Sequence, residues 1–219
     1  MQLTTEQFQE MEDKVLEWNV IFGNDLDDES LIPTYIKLCI EEGKEYLIAD
    51  QEDNHVERID ALVDSVFTGF MLNRLEDGVG FGGWLQCVHG GEVYTFEACL
   101  HELTKENVDI TGYSTLLLET LKEESKRYNL FGAFQRVYES NMSKAAPKTV
   151  DIAKEVAYIE SQGRYADVFA EESGEYLIFK AKRDLQEGNS FEKGKVVKWS
   201  GFQSVEDLGG LEEFIKRGS

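Results

Sequence analysis

Between Thr5 and Phe22 the apolar residues Phe8, Met11, Val15, Trp18 and Phe22 recur at steps of three and four, the period of one helix face. Gly23-Asn24 follows as a stop signal. A second helix starts near Ser30, an N-cap residue type, tolerates Pro33 in its first turns and runs through Tyr35 and Leu38 to about Ala49. The polar stretch Asp50–Asn54 ends it. The third helix carries the strongest pattern: Val56, Ile59, Val63, Val66, Phe67 and Phe70 form one apolar seam that ends near Asp77-Gly78. Gly78, Gly80, Gly82 and Gly83 then read as a loop and not as a phosphate cradle, because no Lys/Thr follows them. Helical spacing resumes over Tyr94–Glu106 and Ser114–Ser140. Beyond Pro147 the character changes. Residues 147–163 read as a short helix plus linker, and Tyr165–Lys180 alternates as a β-hairpin that turns at Glu172-Ser173-Gly174. The pattern predicts a mainly α protein with a small C-terminal β element.

Composition narrows the chemistry. Apolar residues make up 42% of the 219, enough for a buried core. Against 22 basic residues stand 43 acidic ones, and a net charge of -21 disfavours direct nucleic-acid binding, which needs Lys and Arg against phosphate. Cys39, Cys87 and Cys99 form no C-x-x-C pair, which points to a reducing cytoplasm. No run of 18 apolar residues and no basic-then-apolar leader occurs, so neither membrane insertion nor secretion is expected.

The acids are patterned. Glu41, Glu42 and Glu45 form an E-E-x-x-E string whose side chains share an arc of about 100° on the second helix. Glu57, Asp60 and Asp64 share about 60° on the third, one residue beyond the apolar seam. If the two helices pack antiparallel through the short Asp50–Asn54 connection, both sets face each other beside the core. Crowded carboxylates raise one another's pKa values or gather a hard cation, and magnesium with its oxygen ligands suits them. With acids this frequent, about two such strings arise by chance, and Glu171, Glu172 and Glu175 repeat the string in the hairpin as a solvated turn. The first string gains weight from the second stripe beside it.

The segments E-E-G-K-E (Glu41–Glu45) and E-R-I-D-A-L-V-D (Glu57–Asp64) resemble the all-α nucleoside triphosphate pyrophosphohydrolase superfamily, which includes MazG, dimeric dUTPases and phosphoribosyl-ATP pyrophosphohydrolase. Ser140-Asn141-Met142-Ser143-Lys144 and Gly194-Lys195-Val196-Val197-Lys198 resemble the S-N-M-S-K and G-K-V-x-K endings of phage-encoded MazG-like members. That resemblance implies a four-helix-bundle core and a homodimer or homotetramer. It also implies Mg2+ (or Mn2+), a (deoxy)nucleoside triphosphate substrate cut to monophosphate and pyrophosphate, and a cytoplasmic location, that of the host for a phage protein. Glu41 and Glu42 become the catalytic acids, and Glu42, Glu45, Asp60 and Asp64 the metal ligands. Glu57, in E-x-x-D spacing with Asp60, joins the acids as the sixth. Asn141, Ser143, Lys144, Lys195 and Lys198 are implied as phosphate or sugar contacts. In domain terms, 1–147 is the hydrolase core with 79–127 as an insertion, and 148–219 is an extension carrying the hairpin and the G-K-V-V-K segment.

Other residues carry less. His55, His89 and His101 fall at no metal-ligand spacing. Trp18, Trp84 and Trp199 read as core or interface anchors, although Trp199, directly after Lys198, is placed to touch a base. Two non-enzymatic readings explain the charge as well: an acidic DNA-mimicking inhibitor and a cation-binding structural protein.

Overall fold

Thr4 and Gln7 open the first helix with a reciprocal capping box: the Thr4 N–H donates to Gln7 Oε1 at 3.0 Å and the Gln7 N–H to Thr4 Oγ1 at 3.2 Å. This helix, α1 (Thr5–Ile21), is followed by α2 (Ile32–Gln51), α3 (His55–Asp77), α4 (Phe96–Thr104), α5 (Ile110–Glu124), α6 (Leu130–Met142) and α7 (Ile152–Ser161). Four strands lie among and after them: β1 (Ala145–Pro147), β2 (Tyr165–Ser173), β3 (Tyr176–Asp184) and β4 (Asn189–Val196). The structure is a computed structural model that describes residues 2–77 and 95–216. The glycine run, Trp84, Cys87 and His89 lie outside the described residues.

Two compact units divide the chain, one made of Met1–Glu17, Asp25–Val137 and Gly210–Ser219, the other of Trp18–Asn24 and Tyr138–Gly209. In the first, α2 and α3 pack along each other, α4 lies on α2, and α5 packs on both α4 and α3. Phe8, Met11, Ile59, Leu62, Phe70, Phe96, Tyr113, Leu117 and Phe134 are fully buried there. The stretch read as an insertion thus supplies two helices of this core, through Phe96, Cys99, Leu103, Leu117, Leu118 and Leu121. Arg58 locks the α2–α3 connection. Buried itself, it holds Asp50 Oδ1 at 3.1 Å, Asp53 Oδ1 at 3.0 Å and the Asp50 carbonyl at 2.9 Å, while Asp53 turns the chain at φ 53°.

The second unit is built on an antiparallel sheet. β3 pairs with β2 along its whole length, and its other edge is shared by β1, opposite Tyr176–Ile178, and β4, opposite Lys180–Asp184. Alternation sorts the two faces. Leu177, Phe179 and Ala181 pack with Ile159 of α7, Ala146, Val168 and Val197, whereas Ile178 packs with Ala145, Phe22 and the Trp18 end of α1.

A mainly α fold with a four-helix-bundle core and a hairpin is therefore corrected. The protein is mixed, with seven helices and a four-stranded sheet among the described residues, and six helices contribute to the first unit. The two extra strands leave little mark in the sequence. β1 has three residues and ends in proline; β4 reads N-S-F-E-K-G-K-V, an exposed edge strand without apolar alternation.

Candidate metal and anion sites

Tyr35, Cys39, Gly43, Tyr46 and Ala49 form the buried face of α2. Glu42 stands at the margin of that face, half-buried, while Glu41 and Glu45 are exposed. On α3, Ile59, Ala61, Leu62 and Val63 are buried, and Asp60 and Asp64, one turn apart, are half-buried. The hairpin geometry sets the register: Glu42 lies ten residues before Glu52 and Asp64 ten after Asn54, so helices paired through this connection bring the two level.

The electrostatics agree. The Glu42 carboxyl is pushed up to about 8, first by burial and then by the charges of Asp64, Glu45, Asp60 and Glu41. Four acids from two helices thus act on the carboxyl of a fifth, Glu42. Glu57 is not among the four strongest. It is exposed in the first turn of α3, its backbone N–H bonds Asn54 Oδ1 at 3.3 Å, and its charge suits the positive end of the helix. Among the described residues, no three His, Cys, Asp or Glu side chains form a ready-made metal cage.

Burial pushes the Cys39 thiol and the Tyr35 hydroxyl up to about 12, and the Cys99 thiol to about 11. Neither cysteine is a thiolate at neutral pH. His55 is engaged with Tyr128, its Nδ1 lying 2.8 Å from the hydroxyl.

The three lysines expected as phosphate contacts lie within the sheet unit. Lys144, Lys195 and Lys198 line one cavity of about 550 Å³ together with Arg164, Tyr158, Tyr165, Trp199 and Phe202. The Lys198 ammonium sits 4.3 Å from the centre of the Phe202 ring, and Lys195 Nζ is 3.8 Å from Asp184. Asn141 and Ser143 serve the architecture of this cavity. Asn141 Oδ1 accepts from Lys144 Nζ at 2.6 Å; the Ser143 hydroxyl donates to the Ser140 carbonyl at 2.7 Å and accepts from the Gln203 N–H at 2.9 Å. The Ser143 carbonyl accepts from the Trp199 indole N–H at 2.7 Å.

Sequence reasoning did not find Arg164, Tyr158, Tyr165 or Phe202. The alternation of cations with aromatics from Lys195 through Lys198-Trp199 to Phe202 was the available signal, whereas Tyr158 and Arg164 come from α7 and its following turn and reach the cavity only through the fold. A scan of protein-family models finds no match to this chain, and searches of curated proteins and of solved structures likewise return none.

Proposed function

We propose that this chain is a magnesium-dependent nucleoside triphosphate pyrophosphohydrolase, in line with the motifs of α2 and α3. One observation supports the reading above all others: Asp64, Glu45, Asp60 and Glu41 converge electrostatically on a half-buried Glu42. A carboxyl under that load either keeps its proton or shares its charge with a cation.

The donor set fits a hard cation. It consists of carboxylate oxygens alone, two of its acids, Glu41 and Glu45, are exposed and long enough to rotate, and the half-buried Asp60 and Asp64 come from the rigid core helix. Glu42, Glu45, Asp60 and Asp64 would hold magnesium, with Glu57 as the outlying alternative. When bound, magnesium supplies charge to offset the triphosphate and the leaving pyrophosphate. Glu41 and Glu42 would orient the attacking water. Tyr35, Cys39 and Tyr46 of the same helix are buried, and Tyr46 stacks on Phe96 of α4.

Incubation with Mg2+ and a panel of ribo- and deoxynucleoside triphosphates tests this directly. Monophosphate plus pyrophosphate is the expected product pair. Glu42→Gln and Glu45→Gln should each lower turnover by at least ~100-fold, on the order of 3 kcal/mol of barrier, while far-UV circular dichroism stays unchanged. Turnover retained in both variants would remove the carboxylates from the mechanism.

A further inference from the structure

Residues 210–216 lie on the helical unit as a strap, and a pair of glycines leads into it. Gly209 and Gly210 hold φ values of 111° and 72°, which side chains rarely adopt, so the chain turns sharply at a joint that carries no side chains. Beyond the joint, buried anchors alternate with exposed acids: Leu211 and Phe214 are buried, and Glu212 and Glu213 face solvent. The 3-10 turn Glu212–Phe214 brings both anchors to one side, because side chains three apart eclipse in such a turn.

The groove beneath is shaped for this segment. On α6, Gly132 leaves a notch for the Phe214 ring, where a Cβ would stand 2.8 Å from Phe214 Cε1. One turn on, Arg136 reads three features at once: its guanidinium lies 4.9 Å from the centre of that ring, its Nη1 donates to the Gly210 carbonyl at 2.7 Å and its Nη2 pairs with Glu213. Backbone pairing adds to this. The Asn129 N–H donates to the Phe214 carbonyl at 2.8 Å, Ile215 bridges Tyr128, and Lys216 donates to the Arg127 carbonyl at 3.0 Å through its N–H and to the Ser125 carbonyl through its ammonium. Side chains in pockets combined with main-chain bonds are the means by which proteins capture extended peptides. Tyr128 in turn faces α3: its hydroxyl is 2.8 Å from His55 Nδ1 and 3.4 Å from Nη1 of Arg58, the buried lock of the α2–α3 connection.

We infer that residues 211–215 are a resident peptide ligand of the helical unit: the strap leaves and re-enters its groove about the Gly209-Gly210 joint, and while seated it holds Tyr128 against the start of α3. A short segment held by two buried side chains, one arginine and a few backbone bonds opens far more readily than α3, whose Ile59, Leu62, Val66 and Phe70 are sealed in the core. The open groove accepts the same chemistry offered from outside, a leucine and a phenylalanine three apart with acids between them, which Arg136 selects. The inference rests on strap and groove alone and needs neither magnesium nor turnover.

Fluorescence anisotropy with the full chain and a labelled peptide, Gly-Gly-Leu-Glu-Glu-Phe-Ile-Lys, provides the test. The peptide should bind saturably to the Phe214→Ala chain, whose own strap has lost its ring, and at least ~10-fold more weakly to the parent, where the resident strap competes; that factor corresponds to ~1.4 kcal/mol. Arg136→Ala added to Phe214→Ala should weaken binding by a similar factor, and a peptide with alanine for phenylalanine should not bind. Hydrogen exchange reads the hold on α3. Amides of residues 58–62 should exchange at least ~5-fold faster in Phe214→Ala than in the parent and slow again with saturating peptide, while β2 and β3 stay unchanged. The parent alone supplies a check that needs no variant to fold: the amides of Asn129 and Lys216 should share one protection, at least ~100-fold below that of Val66. No saturable binding to a folded Phe214→Ala chain, equal binding by both chains, or strap amides as protected as Val66 would overturn the inference. Residues 58–62 indifferent to the strap would overturn its hold on Tyr128. Since no readout involves a cation or a nucleotide, failure here leaves the hydrolysis proposal standing, and absence of hydrolysis leaves the strap standing.

Discussion

A carboxyl with a pKa of about 8 holds its proton through most of the range in which its unfolded counterpart, at 4.5, has lost it. The sign of the linkage follows. Glu42 adds stability that is fully present below about pH 4.5 and is lost as pH rises through about 8, since charging it in the fold brings it against Asp64, Glu45, Asp60 and Glu41. Glu42→Gln removes that dependence. The variant should melt a few degrees above the parent at pH 9 and show a difference that shrinks toward pH 5, a scale set by roughly 2–4 °C per kcal/mol at this chain length. Magnesium should raise the parent's melting temperature at pH 9 and leave the variant's nearly unchanged. Parallel melting curves for the two proteins from pH 5 to 9 would show that the carboxylates do not crowd. At this scale the sequence was informative where spacing alone places groups together, as for Glu42 and Asp64. It said little where a side chain's partner is remote: nothing near Ser143 in the chain announces that its hydroxyl is engaged by Gln203 and its carbonyl by Trp199.

Gly43, the centre of the E-E-G-K-E string, belongs to the packing of helices and not to the acid chemistry around it. A Cβ at this position would stand 2.6 Å from Leu100 Cδ2, so α4 seats itself on α2 where α2 has no side chain. Gly69 plays the same part for α5, with Leu117 Cδ2 2.5 Å from the corresponding point on α3. In a free helix, Gly43→Ala would gain about 1 kcal/mol of helix propensity, but overpacking against Leu100 costs about 1–3 kcal/mol. A net loss of about 1 kcal/mol is expected in urea unfolding, and Leu100→Ala in the same chain should recover part of it, visible as coupling in a double-mutant cycle. Gly43→Ala more stable than the parent would mean that α4 does not need that close seat. Helices α1, α2 and α3 were legible because each carries its own apolar stripe. The break between α5 and α6 was not. Tyr128 pairs with Ile215, the Asn129 N–H bonds the Phe214 carbonyl at 2.8 Å and the Lys216 N–H the Arg127 carbonyl at 3.0 Å, so the interruption is made by residues some 87 positions later in the chain and not by a local proline or glycine.

Charge is divided between the two units far more unevenly than their sizes. Thirteen acidic and ten basic residues give the sheet unit -3, which leaves 30 acidic and 12 basic residues, or -18 of the chain's -21, on the helical unit. A single figure for the whole chain concealed this, because the division interleaves Trp18–Asn24 and Tyr138–Gly209 with the rest and follows no boundary in composition. No helix of the described residues is long and apolar enough to cross a membrane. Self-repulsion on the scale of -18 opposes compactness and is relieved by salt, whereas a unit near neutrality has little to relieve. Hydrogen exchange followed by mass spectrometry resolves the two. On passing from about 0.01 M to about 0.3 M NaCl, where the screening length falls from roughly 30 Å to below 10 Å, amides of α2, α3 and α5 should slow several-fold, and those of β2 and β3 should change little. Millimolar magnesium should slow α2 and α3 beyond what sodium at the same ionic strength achieves, and Glu42→Gln with Glu45→Gln should abolish that excess while keeping the sodium response. An equal response of helices and sheet to sodium would show that stability does not follow the segregation of charge. A magnesium effect that survives the double substitution would place the cation elsewhere on the helical surface.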